Sequence, residues 1–154
     1  MTRGFSLVEL VIVLMILAVL AWIGIPAYQG YISRTKVLDT VTMLKKMSDD
    51  IHKYDVTQGG LPASLAVVDT QYKTAYATTN DPWGHAYVYL DLRASHGAGG
   101  RKDKALKPIN SDFDLYSIGP DGLTNASLTH ANSRDDIVRA RDGGFIGTAE
   151  EFDP

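Results

Sequence analysis

The sequence contains no cysteine. This absence excludes disulfide bonds, cysteine-ligated zinc and thiol catalysis, whatever compartment the chain occupies. The formal net charge of -3 is small and gives no indication of a general binder of polyanions. A chain of 154 residues is long enough for one modest domain and one membrane segment, but it is too short for two independent cores.

The motifs of the common enzyme classes are also missing. The 4 histidines form no His-Glu-x-x-His pattern, no serine lies in a Gly-x-Ser-x-Gly motif, and no glycine-rich phosphate loop opens a helix. We therefore predict that the protein is not an enzyme. A membrane-anchored enzyme is kept as an alternative, because a fold does not exclude an active site grafted onto it.

A nucleic-acid site is not predicted either. Residues 94–108 are rich in glycine and basic residues and include Gly97-Ala98-Gly99-Gly100-Arg101-Lys102. No aromatic residues alternate with these basic residues to stack on bases, so a solvated, flexible loop is the favoured interpretation.

Charged residues are absent from positions 10–33, and residues 10–23 are apolar on every face. About 20 helical residues span a bilayer core, so this segment predicts a transmembrane helix. Arg3 precedes the segment, and Trp22 and Tyr28 lie toward its far end, so the predicted orientation leaves the N-terminus in the cytoplasm. A secretory signal peptide fits less well, because the apolar run is long and no small-x-small cleavage site ends it. A plain single-pass anchor is the simpler alternative.

Glu9 is not explained by a plain anchor. A carboxylate carried to the bilayer centre costs about 2.5–3.5 kcal/mol, so it needs a partner or a function. Met1-Thr2-Arg3-Gly4 followed by Phe5-Ser6-Leu7-Val8-Glu9 resembles the signal of type IV prepilins, in which a short basic leader ends in glycine and glutamate is the fifth mature residue. The resemblance implies cleavage between Gly4 and Phe5 by a prepilin peptidase, N-methylation of Phe5, and neutralisation of a neighbouring subunit's Phe5 amine by Glu9.

Beyond the apolar segment, a hydrophobic stripe with spacings of three and four predicts an amphipathic helix that packs one side on a domain. The stripe consists of Val37, Val41, Leu44, Met47, Ile51 and Tyr54. Gly59-Gly60 is predicted to end this helix. Gly24 and Pro26 interrupt it earlier, and because proline removes a helical hydrogen bond, we predict a kink or local melting near residues 24–28.

The remaining sequence predicts an α+β fold, in which a small antiparallel sheet lies on the long helix and a loop forms the C-terminal region. A short helix is predicted within residues 65–76 and strands at residues 85–92 and 112–118. The predicted parts are a leader at 1–4, a transmembrane and assembly helix at 5–28, the amphipathic half of the helix at 29–59, and a periplasmic domain at 60–154.

Three further blocks extend the resemblance to the major pseudopilins of type II secretion systems. They are Gly60-Leu61-Pro62, Asp81-Pro82-Trp83-Gly84 with Tyr87, and Asp114-Leu115-Tyr116-Ser117-Ile118-Gly119-Pro120-Asp121-Gly122. Ordinary type IV pilins usually close their C-terminal region with a disulfide, which this chain cannot form. Residues 123–134 and the tail at 140–154 are longer than the family pattern leads us to expect.

A calcium ion is the predicted cofactor of the C-terminal loop. Ca²⁺ takes six to eight oxygen ligands, and several carboxylates held close together need a cation to offset their repulsion. The resemblance implies side-chain ligands at Asp121, Asp135 and Asp136, with Asp142 in reserve, and backbone carbonyls near Leu115, Ile118 and Ile137. The alternative is an acidic loop without a metal, in which Arg134, Arg139 and Arg141 neutralise the carboxylates.

The function implied by the resemblance is structural: copies polymerise into a periplasmic pseudopilus that drives the export of folded proteins. The implied partners are further copies in a helical filament, the prepilin peptidase, minor pseudopilins, the inner-membrane assembly platform and the bacterial inner membrane itself. One alternative is a type IV pilin or a competence pseudopilin. Another is a membrane-tethered calcium-binding module that never polymerises.

Overall fold

The computed structural model describes residues 6–154, so the predicted cleavage site between Gly4 and Phe5 lies outside the described residues. The chain divides into two compact units, one ending at Thr35 and the other comprising Lys36–Pro154. Helix α1, Leu7–Gln58, contributes to both units. The division falls within the segment 29–59 that was predicted to be the amphipathic half of the helix.

The N-terminal unit consists of the first part of α1, whose apolar side chains are exposed along its length. Leu7 is 80% exposed and Trp22 is 83% exposed. By length and composition, α1 can cross a membrane. The local melting predicted near residues 24–28 is not seen, because every residue of Leu7–Gln58 is helical, and the kink predicted there as the other possibility stays a prediction. A proline removes one hydrogen bond of the helix, and the turns before and after it retain theirs.

The hydrophobic stripe of α1 enters the core of the second unit, as predicted. Leu44, Met47 and Ile51 are fully buried, and Val37 and Val41 pack partly against the same cluster. Burying one such side chain contributes about 1.5–3 kcal/mol, so the three buried residues suffice to hold this part of the helix on the domain. The helix ends at Gln58, directly before Gly59-Gly60.

An antiparallel sheet with the strand order β1-β2-β3-β4 covers this part of the helix. Strands β1, Val88–Asp91, and β2, Phe113–Ser117, confirm the two predicted strands in shortened form. Helix α2, Leu65–Tyr72, confirms the predicted short helix. The first two strands pair Val88 with Tyr116 and Asp91 with Phe113, which directs Phe113 and Leu115 into the core.

The C-terminal region begins with a loop, as predicted, but residues 137–152 form two further strands and a short helix that the sequence did not predict. They are β3, Ile137–Ala140, β4, Phe145–Thr148, and α3, Ala149–Phe152. All four residues of β3 are buried, since β2 pairs with one of its edges and β4 with the other. Thr148 and Glu151 form a capping box that satisfies backbone groups at the start of α3.

The segments that are longer than the family pattern contribute to a second hydrophobic cluster. Its buried members are Ile109, Leu128, Val138, Ala140 and Ala149, and Tyr116, Phe145 and Phe152 pack partly against them. Leu128 belongs to the 123–134 segment, and Ala149 belongs to the tail. Both segments are therefore part of the folded core.

Candidate functional site

Glu9, the predicted assembly residue, lies in the first turn of α1. Its backbone N–H donates to Ser6 Oγ at 3.2 Å, so Ser6 caps the start of the helix. A carboxylate near a helix N-terminus contributes about 0.3–1 kcal/mol through the helix dipole, and Glu9 is compatible with its own helix for that reason. None of the ion pairs within residues 6–154 involves Glu9, so its charge is available to a group outside this part of the chain.

In the second unit, the turn at residues 81–84 is organised by the buried carboxylate of Asp81. Its Oδ1 accepts hydrogen bonds from the backbone N–H groups of Trp83, at 3.0 Å, and His85, at 2.8 Å. Its Oδ2 accepts one from Ser117 Oγ at 2.6 Å. His85 Nδ1 lies 2.9 Å from the carbonyl oxygen of Gly119 and donates to it. These bonds join two of the sequence blocks on which the family resemblance depends.

Two glycines allow close approach around this turn. Gly119 has a φ of +67°, and a Cβ there would lie 2.5 Å from the carbonyl oxygen of Asp135. Gly122 has a φ of +68°, and a Cβ there would lie 2.9 Å from His85 Nε2. The left-handed backbone and the lack of room for a Cβ both favour glycine at these two positions. The segment that carries Asp135 can therefore pack directly against the turn that carries Asp121.

Asp121 and Asp135, two of the predicted side-chain ligands, lie next to each other and are joined by a hydrogen bond. The backbone N–H of Asp121 donates to Asp135 Oδ2 at 3.2 Å, and Asp121 Oδ1 accepts from the backbone N–H of Leu123 at 2.8 Å. Two of the predicted carbonyl ligands lie within the paired sheet, Leu115 opposite Tyr89 and Ile137 opposite both Ser117 and Thr148. Ile118, the third, directly follows β2.

Asp136, the remaining predicted side-chain ligand, is completely buried and pairs with an arginine. Its Oδ2 accepts hydrogen bonds from Arg101 Nη2 and, at 2.7 Å, from Thr124 Oγ1, whereas its Oδ1 is buried with no hydrogen-bond partner. Burial raises the pKa of Asp136 to about 6, although the hydrogen bond from Thr124 and the charge of Arg101 act to lower it.

In this arrangement the residues do not fit a calcium site. Ca²⁺ needs six to eight oxygen ligands, yet residues 6–154 contain no group of three or more acidic or histidine side chains placed to hold a metal ion. Asp142, the reserve ligand, accepts hydrogen bonds from Ser111, at 2.6 Å from the backbone N–H and 2.8 Å from Oγ. Calcium binding stays a prediction that this geometry does not favour.

Arg101 was missed by the sequence reasoning, which assigned it to a solvated loop. The residue is only 2% exposed, and its guanidinium carbon lies 4.3 Å from the centre of the Tyr116 ring. The sequence signal that could have indicated this burial is the preceding glycine pair. A Cβ at Gly100 would lie 2.9 Å from Leu92 Cδ2, so the chain passes close to the domain there.

A second buried arginine links α1 to the sheet. Arg139 donates Nη1 and Nη2 to the two carboxylate oxygens of Asp112, at 2.8 and 2.7 Å, and donates Nε to Ser48 Oγ at 2.9 Å. Burial acts to raise the pKa of Asp112, but hydrogen bonds from Arg139 and from the Phe113 N–H outweigh it and hold the pKa below its usual range. Arg139 therefore neutralises Asp112 and not the predicted acidic loop.

A cleft of about 470 Å³ lies beside this ion pair and is lined by Ser48, Asp49 and His52 among others. These side-chain types occur in hydrolases. His52 Nε2 lies 2.9 Å from Arg139 Nη2. Because a guanidinium nitrogen can only donate, His52 Nε2 accepts a hydrogen bond from the arginine and is not free to act as a base. Ser48 Oγ also accepts from the arginine, and the arrangement does not activate a serine nucleophile.

Comparison with known proteins gives matches over both the membrane segment and the domain. Residues 1–25 match the family described as the prokaryotic N-terminal methylation motif. Type II secretion system core protein G of Escherichia coli (strain K12) is 30% identical over 135 residues, which is 78% of this chain and 83% of that protein. Type IV major fimbrial protein FimA of Dichelobacter nodosus is 40% identical over 101 residues, which is 63% of this chain and 62% of that protein. No solved structure matches the chain significantly.

The two kinds of relative are covered to different extents. The chain spans about 62% of the length of the fimbrial protein but 83% of core protein G. Its long N-terminal helix and small antiparallel four-stranded sheet have the α+β organisation of type IV pilin-like proteins. Together, the methylation motif, the fold and the extent of the similarity show that the chain belongs to the family of type II secretion system core protein G, the major pseudopilins.

Proposed function

We propose that this chain is the structural subunit of a type II secretion pseudopilus, a periplasmic filament that drives the export of folded proteins. The main support is the extent of the similarity to core protein G, which covers 78% of this chain and so includes much of Lys36–Pro154. The similarity to the fimbrial protein covers 63% of this chain. A type IV pilin or competence pseudopilin is the second candidate, supported by the higher identity of that shorter match.

The proposed topology is a single inner-membrane span at residues 5–28, with the N-terminus in the cytoplasm and residues 60–154 in the periplasm. The continuous exposed apolar surface of the first part of α1 supports it, because a soluble protein rarely leaves so large an apolar patch in water. The match to the methylation motif supports cleavage between Gly4 and Phe5 by a prepilin peptidase, followed by methylation of the new N-terminus.

Assembly would use the charge of Glu9. In a filament core the apolar helices pack against one another away from water, where the Phe5 ammonium of one subunit and the Glu9 carboxylate of the next can pair. A buried charge left without its partner is strongly penalised, so this pair would select one register between neighbours. Minor pseudopilins and an inner-membrane assembly platform are the further proposed partners, on the basis of family membership alone.

Deletion of the gene, with complementation from a plasmid, tests this function. We expect secreted proteins to accumulate in the periplasm, and wild-type chain but not Glu9→Lys to restore their export. Glu150→Lys is the matched control, since it reverses a charge that takes part only in an exposed ion pair with Arg134. Normal secretion with a loss of twitching or DNA uptake would favour the second candidate. Failure to crosslink copies in membranes would favour the tethered module.

A further inference from the structure

We propose that the buried guanidinium of Arg101 supplies the positive charge that closes the C-terminal region of this chain, where the family resemblance implies a calcium ion. The domain would then need no calcium to fold. This inference concerns the stability of one subunit and does not depend on the machine in which the subunit works.

The contacts of Arg101 join segments that are far apart in the sequence, as a structural metal ion would. Nη2 donates to Asp136 Oδ2, directly before β3, and Nη1 donates to Thr124 Oγ1 in the 123–134 segment. The guanidinium also lies over the ring of Tyr116 in β2, at 4.3 Å. Thr124 Oγ1 donates to the same Asp136 oxygen at 2.7 Å, so arginine, threonine and aspartate form one connected polar group.

The backbone holds Arg101 in this position from both sides. Its N–H donates to Asp114 Oδ2 at 2.6 Å. The next residue, Lys102, donates its N–H to the carbonyl oxygen of Ala126 at 2.8 Å and accepts from the N–H of Leu128 at 2.9 Å. The 123–134 segment, which is longer than the family pattern, thus holds the backbone next to Arg101 in place and also supplies Thr124.

The polar group formed by Arg101, Thr124 and Asp136 offers little to a second cation. Asp136 Oδ1 is the one carboxylate oxygen of this group that is buried without a partner, and one oxygen is far short of the six to eight that Ca²⁺ takes. Asp121 Oδ1 and Asp135 Oδ2 already accept backbone hydrogen bonds. A divalent ion bound next to Asp136 would also be repelled by the guanidinium, and burial of both charges strengthens that repulsion.

Thermal unfolding of the full-length chain in detergent, followed by near-UV circular dichroism, tests the proposal. We expect the wild-type melting temperature to be the same in calcium chloride and in chelator, and calorimetric titration with calcium chloride to show no binding. Arg101→Met should lower the melting temperature by about 10 °C or more, because it leaves a buried carboxylate unpaired. Arg134→Met, at an exposed ion pair with Glu150, is the control and should change it little.

A double variant separates the ion pair from simple loss of packing. Because Asp136→Asn removes the charge that Arg101 neutralises, Arg101→Met/Asp136→Asn should melt no lower than Arg101→Met alone, whereas additive losses would overturn the proposal. A rise in the wild-type melting temperature with calcium, lost in Asp136→Asn, would also overturn it. The melting of the wild type with calcium and with chelator tests the proposal even if Arg101→Met does not fold. The melting results are independent of the secretion phenotype of the gene deletion, which tests the proposed function.

Discussion

Replacing Arg139 with methionine should strongly destabilise the second unit. The guanidinium is fully buried and holds both oxygens of Asp112, together with Ser48 Oγ and, at 3.0 Å, the carbonyl oxygen of Phe113. It also lies 3.9 Å from the centre of the Phe113 ring. Methionine retains an apolar chain that can pack on the ring, but it removes the guanidinium that neutralises the Asp112 carboxylate.

The size of the expected destabilisation follows from the burial of both partners, since the Arg139 side chain is 0% exposed and that of Asp112 is 8% exposed. Removing one partner of a buried ion pair costs about 3–5 kcal/mol. In a domain of this size, 1 kcal/mol changes the melting temperature by roughly 3–4 °C, so we expect a loss of about 10–20 °C. The corresponding change at an exposed pair should cost about 0–1 kcal/mol.

Urea denaturation and thermal melting of the wild type, Arg139→Met and Arg93→Met provide the test. Arg93 donates to Asp55 at 3.1 Å, but its side chain is 54% exposed, which makes it the matched control. The Arg139→Met/Asp112→Leu variant should recover part of the loss, because both charges are then removed. Equal stability of Arg139→Met and Arg93→Met would refute the argument from burial.

Four other outcomes are expected. Intact-mass analysis of the native protein should give a chain that begins at Phe5, and a mature chain that retains the leader would contradict this. Glu9→Lys should yield an inserted, folded subunit that does not assemble, as measured by sheared filament yield, and a normal yield would argue against the proposed contact. The lowered pKa of Asp112 means that its ion pair stabilises the fold fully above the unfolded-state pKa of about 3.9 and is lost as pH falls through the folded-state pKa. Urea stability should therefore fall below about pH 4 more steeply in the wild type than in Arg139→Met, and identical acid curves would exclude this origin. Leu128→Ala should cost about 2–5 kcal/mol by urea denaturation, because the side chain is fully buried in the second cluster, whereas a loss below about 1 kcal/mol would show that the 123–134 segment contributes little.

Elements with a strong local pattern could be predicted from the sequence. The stripe at spacings of three and four located the buried face of α1, and Gly59-Gly60 located its end. Alternation and β-branched residues located β1 and β2. Both strands are shorter than predicted because their length depends on how far the neighbouring strand runs beside them, which local sequence does not contain.

Strand β3 shows why the C-terminal region could not be predicted in the same way. Asp135 and Asp136 precede it and Arg139 lies within it, so the sequence is typical of a solvated acidic loop. The charges of Asp136 and Arg139 are compatible with burial only because Arg101 and Asp112 reach them from other parts of the chain. A charged residue is buried at low cost when its partner is close, and the sequence alone does not show which partner that is.

By itself, the sequence determined the features that depend on neighbouring residues: a helix long and apolar enough to cross a membrane, the match to the methylation motif, the absence of disulfides and the family to which the chain belongs. Only the tertiary structure decided how the buried charges pair. Asp136 meets Arg101 across 35 positions of sequence, and Asp112 meets Arg139 across 27. The energy of a charge pair depends on distance and burial in space, so the fold decides whether an acidic pair in the sequence faces a metal ion, water or an arginine.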